Sequence, residues 1–319
     1  MDIKSMLFRF PLLLLQPLNI SLVPLTYHVV QMSTPSKTAL EYFHNAAADY
    51  EAGTGGCTRD VARYIVDICP PYDSTSVILD NACGTGIVTQ EILRKGFGSP
   101  DAPLSVACVD GVPAMVDLAR HTDYASNPSA KVSFDVMSGE DLSFPDNHFT
   151  HSLTNMGILF FKDGLKGAKE IYRTLKPGGT AIVTSWEDLG YIRIIHQTQK
   201  AINPDEPLMK VPILEQWYQA THLMETLREA GFGDVQVHTR KVYYGAESTR
   251  KLSDFLMKML APWVSGRSDN ENTEFKKELQ VNLEKAVLKF ERPSISGSSG
   301  DVEQLVGIPM IALVAVARK

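Results

Sequence analysis

Two acids and a run of small residues stand together in the first third of the chain. Val77-Ile-Leu-Asp-Asn-Ala-Cys-Gly-Thr-Gly-Ile-Val-Thr89 begins as an apolar run and reaches Asp80. It then passes Ala82, Gly84 and Gly86, and a helical spacing resumes at Ile87, Val88, Ile92 and Leu93. This is a strand, a tight turn and a helix start. Glycine belongs where a side chain would hold the backbone away from a ligand, and the first turn of a helix presents N–H groups with no partner inside the helix. A nucleotide-like ligand suits such a turn. The next apolar run, Leu104-Ser-Val-Ala-Cys-Val-Asp110, also ends in an acid. An acid at the tip of the second strand can accept hydrogen bonds from both hydroxyls of a ribose.

Two ribose-bearing cofactors fit these marks. The dinucleotide fingerprint G-x-G-x-x-G reads here as Gly84-Thr-Gly-Ile-Val-Thr89, with Thr89 where the third glycine belongs. It also asks for no acid ahead of the glycines, yet Asp80 is there. The pattern D-x-x-x-G-x-G instead resembles the first motif of class I S-adenosylmethionine-dependent methyltransferases. Asp80, Gly84 and Gly86 match that motif, and Ala82 stands where many members have glycine. Taken alone, the motif is also compatible with a glycine turn in any α/β protein.

Further matches follow in the same order. In Val136–Phe149, residues Leu142, Phe144, Pro145, Asp146 and Phe149 resemble the family's turn after the third strand. The usual adenine-facing acid is replaced by Ser138, followed by Gly139, with Glu140 as the other candidate for that contact. A helix over Gly164–Leu175 is stopped by Lys176-Pro-Gly-Gly179, since proline and glycine end helices, and a strand over Thr180–Ser185 follows. The resemblance implies S-adenosylmethionine as cofactor, with Tyr50, Asp80, Ala82, Gly84, Gly86, Asp110, Met115, Ser138, Gly139 and Asn155 around it. The motif Tyr50-Glu-x-x-Thr-Gly-Gly-x-Thr-Arg59, combined with Leu79-Asp-Asn-Ala-Cys-Gly-Thr-Gly86, is further similar to fungal secondary-metabolism methyltransferases, including gliotoxin thiomethyltransferase-like enzymes, which implies methylation of a sulfur, oxygen or nitrogen. For Tyr50, a plain packing role stands beside the functional one.

The elements that must position these residues imply an α/β fold. The resemblance makes it a Rossmann-like, seven-stranded, mostly parallel sheet with an antiparallel last strand, plus a helical lid. Strands are expected near 131–136 and 150–155, and Asp234–Tyr244 with Ile308–Val316 form the closing hairpin. Helices are expected over Trp186–Ile202, Thr221–Ala230, Leu252–Ala261 (ended by Pro262) and Asn272–Phe290, the last with Phe275, Leu279, Leu283, Val287 and Phe290 on one stripe. Residues 36–319 then make one methyltransferase domain, with lid elements at 36–70, 186–230 and 248–300. Residues 1–31 read as a separate extension, disordered or weakly membrane-associating, or as an upstream start ahead of Met32, because Gln16, Pro17 and Asn19 break the apolar run of a leader and Pro11, Pro17 and Pro24 disfavour a helical span. Aromatic and methionine residues gather in or near the lid, among them Trp186, Tyr191, Met209, Trp217, Phe255 and Trp263. They suit a small, largely apolar acceptor, or simply pack the lid onto the sheet.

Composition narrows the class. With 319 residues, 44% hydrophobic and 21% charged, the chain is an ordinary globular protein. A net charge of −6 argues against nucleic acid as a partner. The four cysteines lack metal-site spacing, so no metal is expected and reduced thiols in the cytoplasm are. Catalytic residues stay unassigned: His44, His196 and His222 lie in or near lid elements, and none stands out as a base. Three readings remain open: a small-molecule methyltransferase, a cofactor-binding regulatory protein that keeps the fold without catalysis, and a nicotinamide-dependent oxidoreductase. Methyl transfer to a panel of acceptors separates the first two, and the preferred cofactor separates the third.

Overall fold

A computed structural model describes Glu41, Phe43, His44 and residues 47–122, 127–264, 266–294 and 301–319, without the side chains of Asp49, Pro262 and Trp263. The expected extension 1–31 lies outside the described residues, as does the Trp263 side chain.

Five parallel strands carry the chemistry-bearing turns. They are Val77–Asn81 (β1), Leu104–Asp110 (β2), Ala130–Val136 (β3), Phe149–Thr154 (β4) and Leu175–Asp188 (β5). Asp234–Ala246 (β6) and Val302–Arg318 (β8) complete the order β3-β2-β1-β4-β5-β8-β6, with β8 antiparallel to both neighbours. This is the expected sheet with its antiparallel last strand. Ile78, Leu79, Ile182 and Val183 are wholly buried, as central parallel strands covered on both faces require. The chain steps outward from β1 to β2 and β3, then returns to place β4 on the other side of β1. The loops after β1 and β4 therefore diverge, and the crevice between them lies at the carboxyl ends of the strands.

Helices cover the two faces. Cys57–Ile68 (α2) and Ile87–Arg94 (α3) pack together beside β1, preceded by the single turn Tyr50–Gly53 (α1). Pro113–Arg120 (α4) begins on proline, whose fixed φ and missing N–H suit a helix start. Gly164–Thr174 (α5) starts from Asp163, which accepts from the Lys166 N–H at 2.9 Å. Tyr191–Ile202 (α6), Ala220–Glu229 (α7), Thr249–Met259 (α8), Ala261–Val264 (α9) and Asp269–Ala286 (α10) follow.

The strand expected over Thr180–Ser185 already starts at Leu175 and the one expected over Ile308–Val316 at Val302, and three further boundaries differ from expectation. Trp186 belongs to β5, and the helix starts only at Tyr191. Gly190 lies between them, where a Cβ would come within 2.1 Å of the Pro309 carbonyl oxygen. Pro262 does not close α8 but is the second residue of α9, a position whose N–H a helix does not use. The helix expected to reach Phe290 ends at Ala286, and Leu288–Pro293 (β7) is an eighth strand, antiparallel to the start of β8. Spacings of four and three at Leu283, Val287 and Phe290 fit a helix stripe. Pairing with β8 prevails because the Phe290 ring stacks on Tyr243 (4.5 Å, 17°) in space left by two glycines. A Cβ on Gly245 or Gly307 would lie 2.4 or 2.6 Å from that ring.

Candidate active site

Asp80 closes β1 with its carboxyl fully buried. One oxygen, Oδ2, accepts from the Thr89 N–H (3.1 Å) and hydroxyl (2.7 Å), which pins the first turn of α3 to the strand tip. The other, Oδ1, is buried with no hydrogen-bond partner. Burial pushes the carboxyl up to about 7, against the pull of the Thr89 hydrogen bonds, and the charge of Asp110 adds to the rise.

The turn beyond it runs through left-handed backbone at Ala82 (φ 53°), Gly84 (φ 56°) and Gly86 (φ 80°). Glycine adopts this conformation freely; Ala82 pays a steric cost through its Cβ. The turn is fastened to β2 at two points. The Cys83 N–H donates to the Val109 carbonyl at 2.9 Å, and the Gly84 N–H donates to Asp110 Oδ2 at 2.8 Å. The Val112 N–H donates to Asp110 Oδ1, also at 2.8 Å. Asp110 is 9% exposed, and burial raises its carboxyl despite these two donors. Each carboxylate oxygen keeps further acceptor capacity. The acid and the glycine turn thus move as one piece, with bare backbone between them. A Cβ on Gly84 would meet only the edge of the Tyr50 ring, at 4.0 Å.

That ring belongs to a cap. Phe43 lies edge-on to Tyr50 (6.1 Å, 69°) and edge-on to Phe160 (4.8 Å, 80°) in the short turn after β4. Ala47 is buried with Val112 and Met115 in a small apolar cluster, separate from the main core, against which Phe43 and Tyr50 pack. Phe43, Ala47 and Tyr50 therefore touch α4 on one side and the turn after β4 on the other.

The remaining expected residues are distributed around this crevice. Met115 is buried under the cap. Ser138 is exposed, and its hydroxyl accepts from the Glu140 N–H at 3.2 Å. A Cβ on Gly139 would strike the Phe161 ring at 2.3 Å and Asn81 Oδ1 at 2.8 Å. Glu140 Oε1 accepts from the Asp163 N–H at 2.6 Å, which ties it to the start of α5. Asn155 bridges two elements: its Nδ2 donates to the Thr58 carbonyl and its Oδ1 accepts from the Thr184 hydroxyl, both at 3.0 Å. Sequence reasoning missed Asn81, which is fully buried with both ends of its amide unpartnered. Its one signal was a polar residue beside Asp80 at the end of an apolar strand. Phe43 and Phe160 were also missed, because nothing local marks two aromatics that meet only across the fold.

Several expected lid residues are core. Trp186, Tyr191, Met209 and Trp217 are buried in the main cluster, and Phe255 packs partly buried against it. Of the candidate histidines, His44 is exposed, and His196 and His222 lie against other groups. His196 Nε2 donates to the Met209 carbonyl (2.8 Å), His222 lies edge-on to Trp217, and His151 is held below its usual range by burial at the far end of β4, opposed by Asp73. Among the described residues, no group of three or more His, Cys, Asp or Glu is placed to hold a metal ion. A second cleft, lined by Pro70, His151, Lys176 and Arg318, opens at the opposite end of the sheet from the turn.

The fold and the turn resemble those of S-adenosylmethionine-dependent methyltransferases. The model of a methyltransferase domain matches residues 78–179, from β1 into β5. The chain is 25% identical over 273 residues to acetylaranotin bis-thiomethyltransferase of Aspergillus terreus, which covers 82% of this chain and 90% of that one. It is 27% identical over 241 residues to methyltransferase ucsB of Acremonium sp (72% and 81%). It is also 26% identical over 180 residues to methyltransferase tpcH of Aspergillus fumigatus, where the match spans 54% of this chain and 62% of the relative. A chain from the complex of the Haloferax volcanii Trm112 methyltransferase activator with its methyltransferase shares the fold, with a TM-score of 0.50 at 17% identity over 86% of this chain and 96% of that one. The nicotinamide reading falls with these matches.

Proposed function

We propose that this chain transfers the methyl group of S-adenosylmethionine to a sulfur atom of a small, largely apolar metabolite, in fungal-type secondary metabolism. The observation that carries the cofactor's place is the Asp110–Gly84 hydrogen bond at 2.8 Å, which sets an acid with spare acceptor capacity beside uncovered backbone. In this reading Asp110 takes the ribose hydroxyls, and the Ala82–Gly86 backbone follows the amino-acid half. The unpartnered Oδ1 of Asp80 waits beneath that turn. Val112 and Met115 form an apolar wall for the base, Ser138 and Gly139 lie at its edge, and Tyr50 and Asn155 stand over the crevice. Bound there, the cofactor supplies a methyl group already activated on a sulfonium.

The protein's task is then to orient and to dry. Holding an acceptor atom about 3 Å from the methyl, in line, removes much of the entropic barrier. The aromatic cap of Phe43, Tyr50 and Phe160 keeps water from that space. A thiol acceptor loses its proton to solvent readily near neutral pH and needs no protein base. This agrees with His196 being held by the Met209 carbonyl, and a thiomethyltransferase is among the relatives that match most of this chain. Cys57 and Cys69 are poor competitors for the methyl: burial pushes Cys57 up to about 12 and Cys69 up to about 11.

Residues 36–70, 186–230 and 248–300 form the acceptor's lid in this account, and the chain works in the cytoplasm, where its four free cysteines stay reduced. Among the described residues, no helix is long and apolar enough to cross a membrane. Incubation with methyl-labelled cofactor and a matched panel of small thiols, phenols and amines tests the assignment. Label on the thiols is expected. Label confined to phenols or amines overturns the choice of sulfur, and cofactor binding with no transfer to any of them favours a regulatory role.

A further inference from the structure

Arg59 is sealed inside the protein at 1% exposure, and methyl transfer as described makes no use of it. It stands in the first turn of α2. Its Nε and Nη2 hold the two carboxylate oxygens of Glu51, Nη2 to Oε2 at 2.8 Å. Its Nη1 donates to Glu91 Oε1 at 2.8 Å, and Nη2 also reaches the side-chain oxygen of Gln90. Both of the latter residues lie on α3, the helix that rises from the glycine turn. The Gln90 amide nitrogen in turn donates to the Thr85 carbonyl within that turn, at 3.4 Å. At the other end, Glu51 follows Tyr50, whose ring edge stands over Gly84. One guanidinium therefore joins the residue beside Tyr50 to the turn that Tyr50 covers.

The line continues away from the cap. Arg63 reaches Glu91 (3.5 Å) and Asp60 (3.4 Å), and Arg292 of β7 clasps both oxygens of Asp60 at 3.0 and 3.1 Å. Acids and arginines alternate through Glu51, Arg59, Glu91, Arg63, Asp60 and Arg292, so their charges cancel. Such buried pairs add little net stability because desolvation opposes them; what they can specify is geometry. Stability of the loop has other sources: the Tyr244 hydroxyl donates to the Gly53 carbonyl (2.9 Å), and the Gly245 N–H donates to the Gly55 carbonyl (3.0 Å).

We propose that Arg59 is a positioning residue for the cofactor: by gripping Glu51 on the cap and Gln90 and Glu91 on α3, it fixes where Tyr50 meets the glycine turn. This rests on the cofactor reading given above. Glu51→Gln is the gentlest test, because Glu51 is 30% exposed and the loop keeps its bonds to Tyr244 and Gly245. Calorimetry with S-adenosylhomocysteine is expected to show about tenfold weaker binding in Glu51→Gln, about 1.4 kcal/mol, at an unchanged melting temperature. Arg59→Lys, which keeps the charge, is expected to bind more tightly than Arg59→Met. Lys95→Ala removes an exposed pair with Asp67 that joins α2 to the far end of α3, and it is expected to bind as wild type does. Wild-type affinity in Glu51→Gln, or a fall in melting temperature with no change in affinity, overturns the proposal alone. No heat with the wild-type protein overturns the cofactor reading and the proposal with it.

Discussion

Ala82 shows how one methyl group shapes this site. Its φ of 53° is glycine's territory, and a side chain there costs about 1–2 kcal/mol. Ala82→Gly removes that strain but frees the unfolded chain, so the net gain is expected to be about 0.5–1 kcal/mol. It should appear as a higher urea midpoint at constant slope; an unchanged or lower midpoint would mean that the turn carries no strain. Asp80 supplies the second expectation at this scale. Its carboxyl is pushed up to about 7 in the folded protein, chiefly by burial, from about 3.9 in an unfolded chain. The folded state therefore binds more protons between those values. Its contribution is full below pH 4 and is lost as pH rises through 7. Asp80→Asn should flatten the fall in stability over that window, leaving the share due to Asp110, whose shift has the same sign. A slope identical to wild type would remove Asp80 as its source. Both acids were plain in the sequence, because strand-tip acids flanking glycines form a local pattern. Asn81 was not, since a buried amide without partners shows only in three dimensions.

Elements meet across the crevice more tightly than their sequence separation suggests. The turn after β4 reaches the turn after β1, where a Cβ on Gly157 would lie 2.4 Å from that of Ala82. Gly157→Ala should therefore cost about 1–3 kcal/mol by overpacking. In an Ala82→Gly background most of that cost should vanish, giving a non-additive double-mutant cycle. Additive denaturation energies would show that the two turns do not press on one another. Strands were the readily legible elements, since apolar runs ending in turn residues are unambiguous for β1 and β2. β7 was not, because Val287 and Phe290 continue a helical spacing and only the facing β8, with room at Gly245 and Gly307, makes the strand preferable.

The whole molecule turns these pieces into a covered site. The sheet order divides at β1 and β4, the glycine turn opens at that division, and the segment through Phe43, Ala47 and Tyr50 spans it from α4 to Phe160. None of this spanning could be read along the chain, because the contacts join residues that are close only once the sheet has formed. A ligand under such a cap should order both of its walls. At about 100 times its dissociation constant, S-adenosylhomocysteine is expected to stabilise the protein by about 2.7 kcal/mol. Hydrogen exchange should slow in residues 50–56 as well as in the turn. Slowing in the turn alone would show that the cap does not close over the ligand.

The most direct measurement is calorimetric titration of S-adenosylhomocysteine into the wild-type protein and into Asp110→Ala. On the proposed placement of the cofactor, loss of this carboxylate removes charge-assisted contacts to the ribose, together with the anchor of Gly84. The account therefore expects clear binding to wild type and an affinity lower by about 1.5–3 kcal/mol in the variant. Equal affinities would contradict the place given to the cofactor.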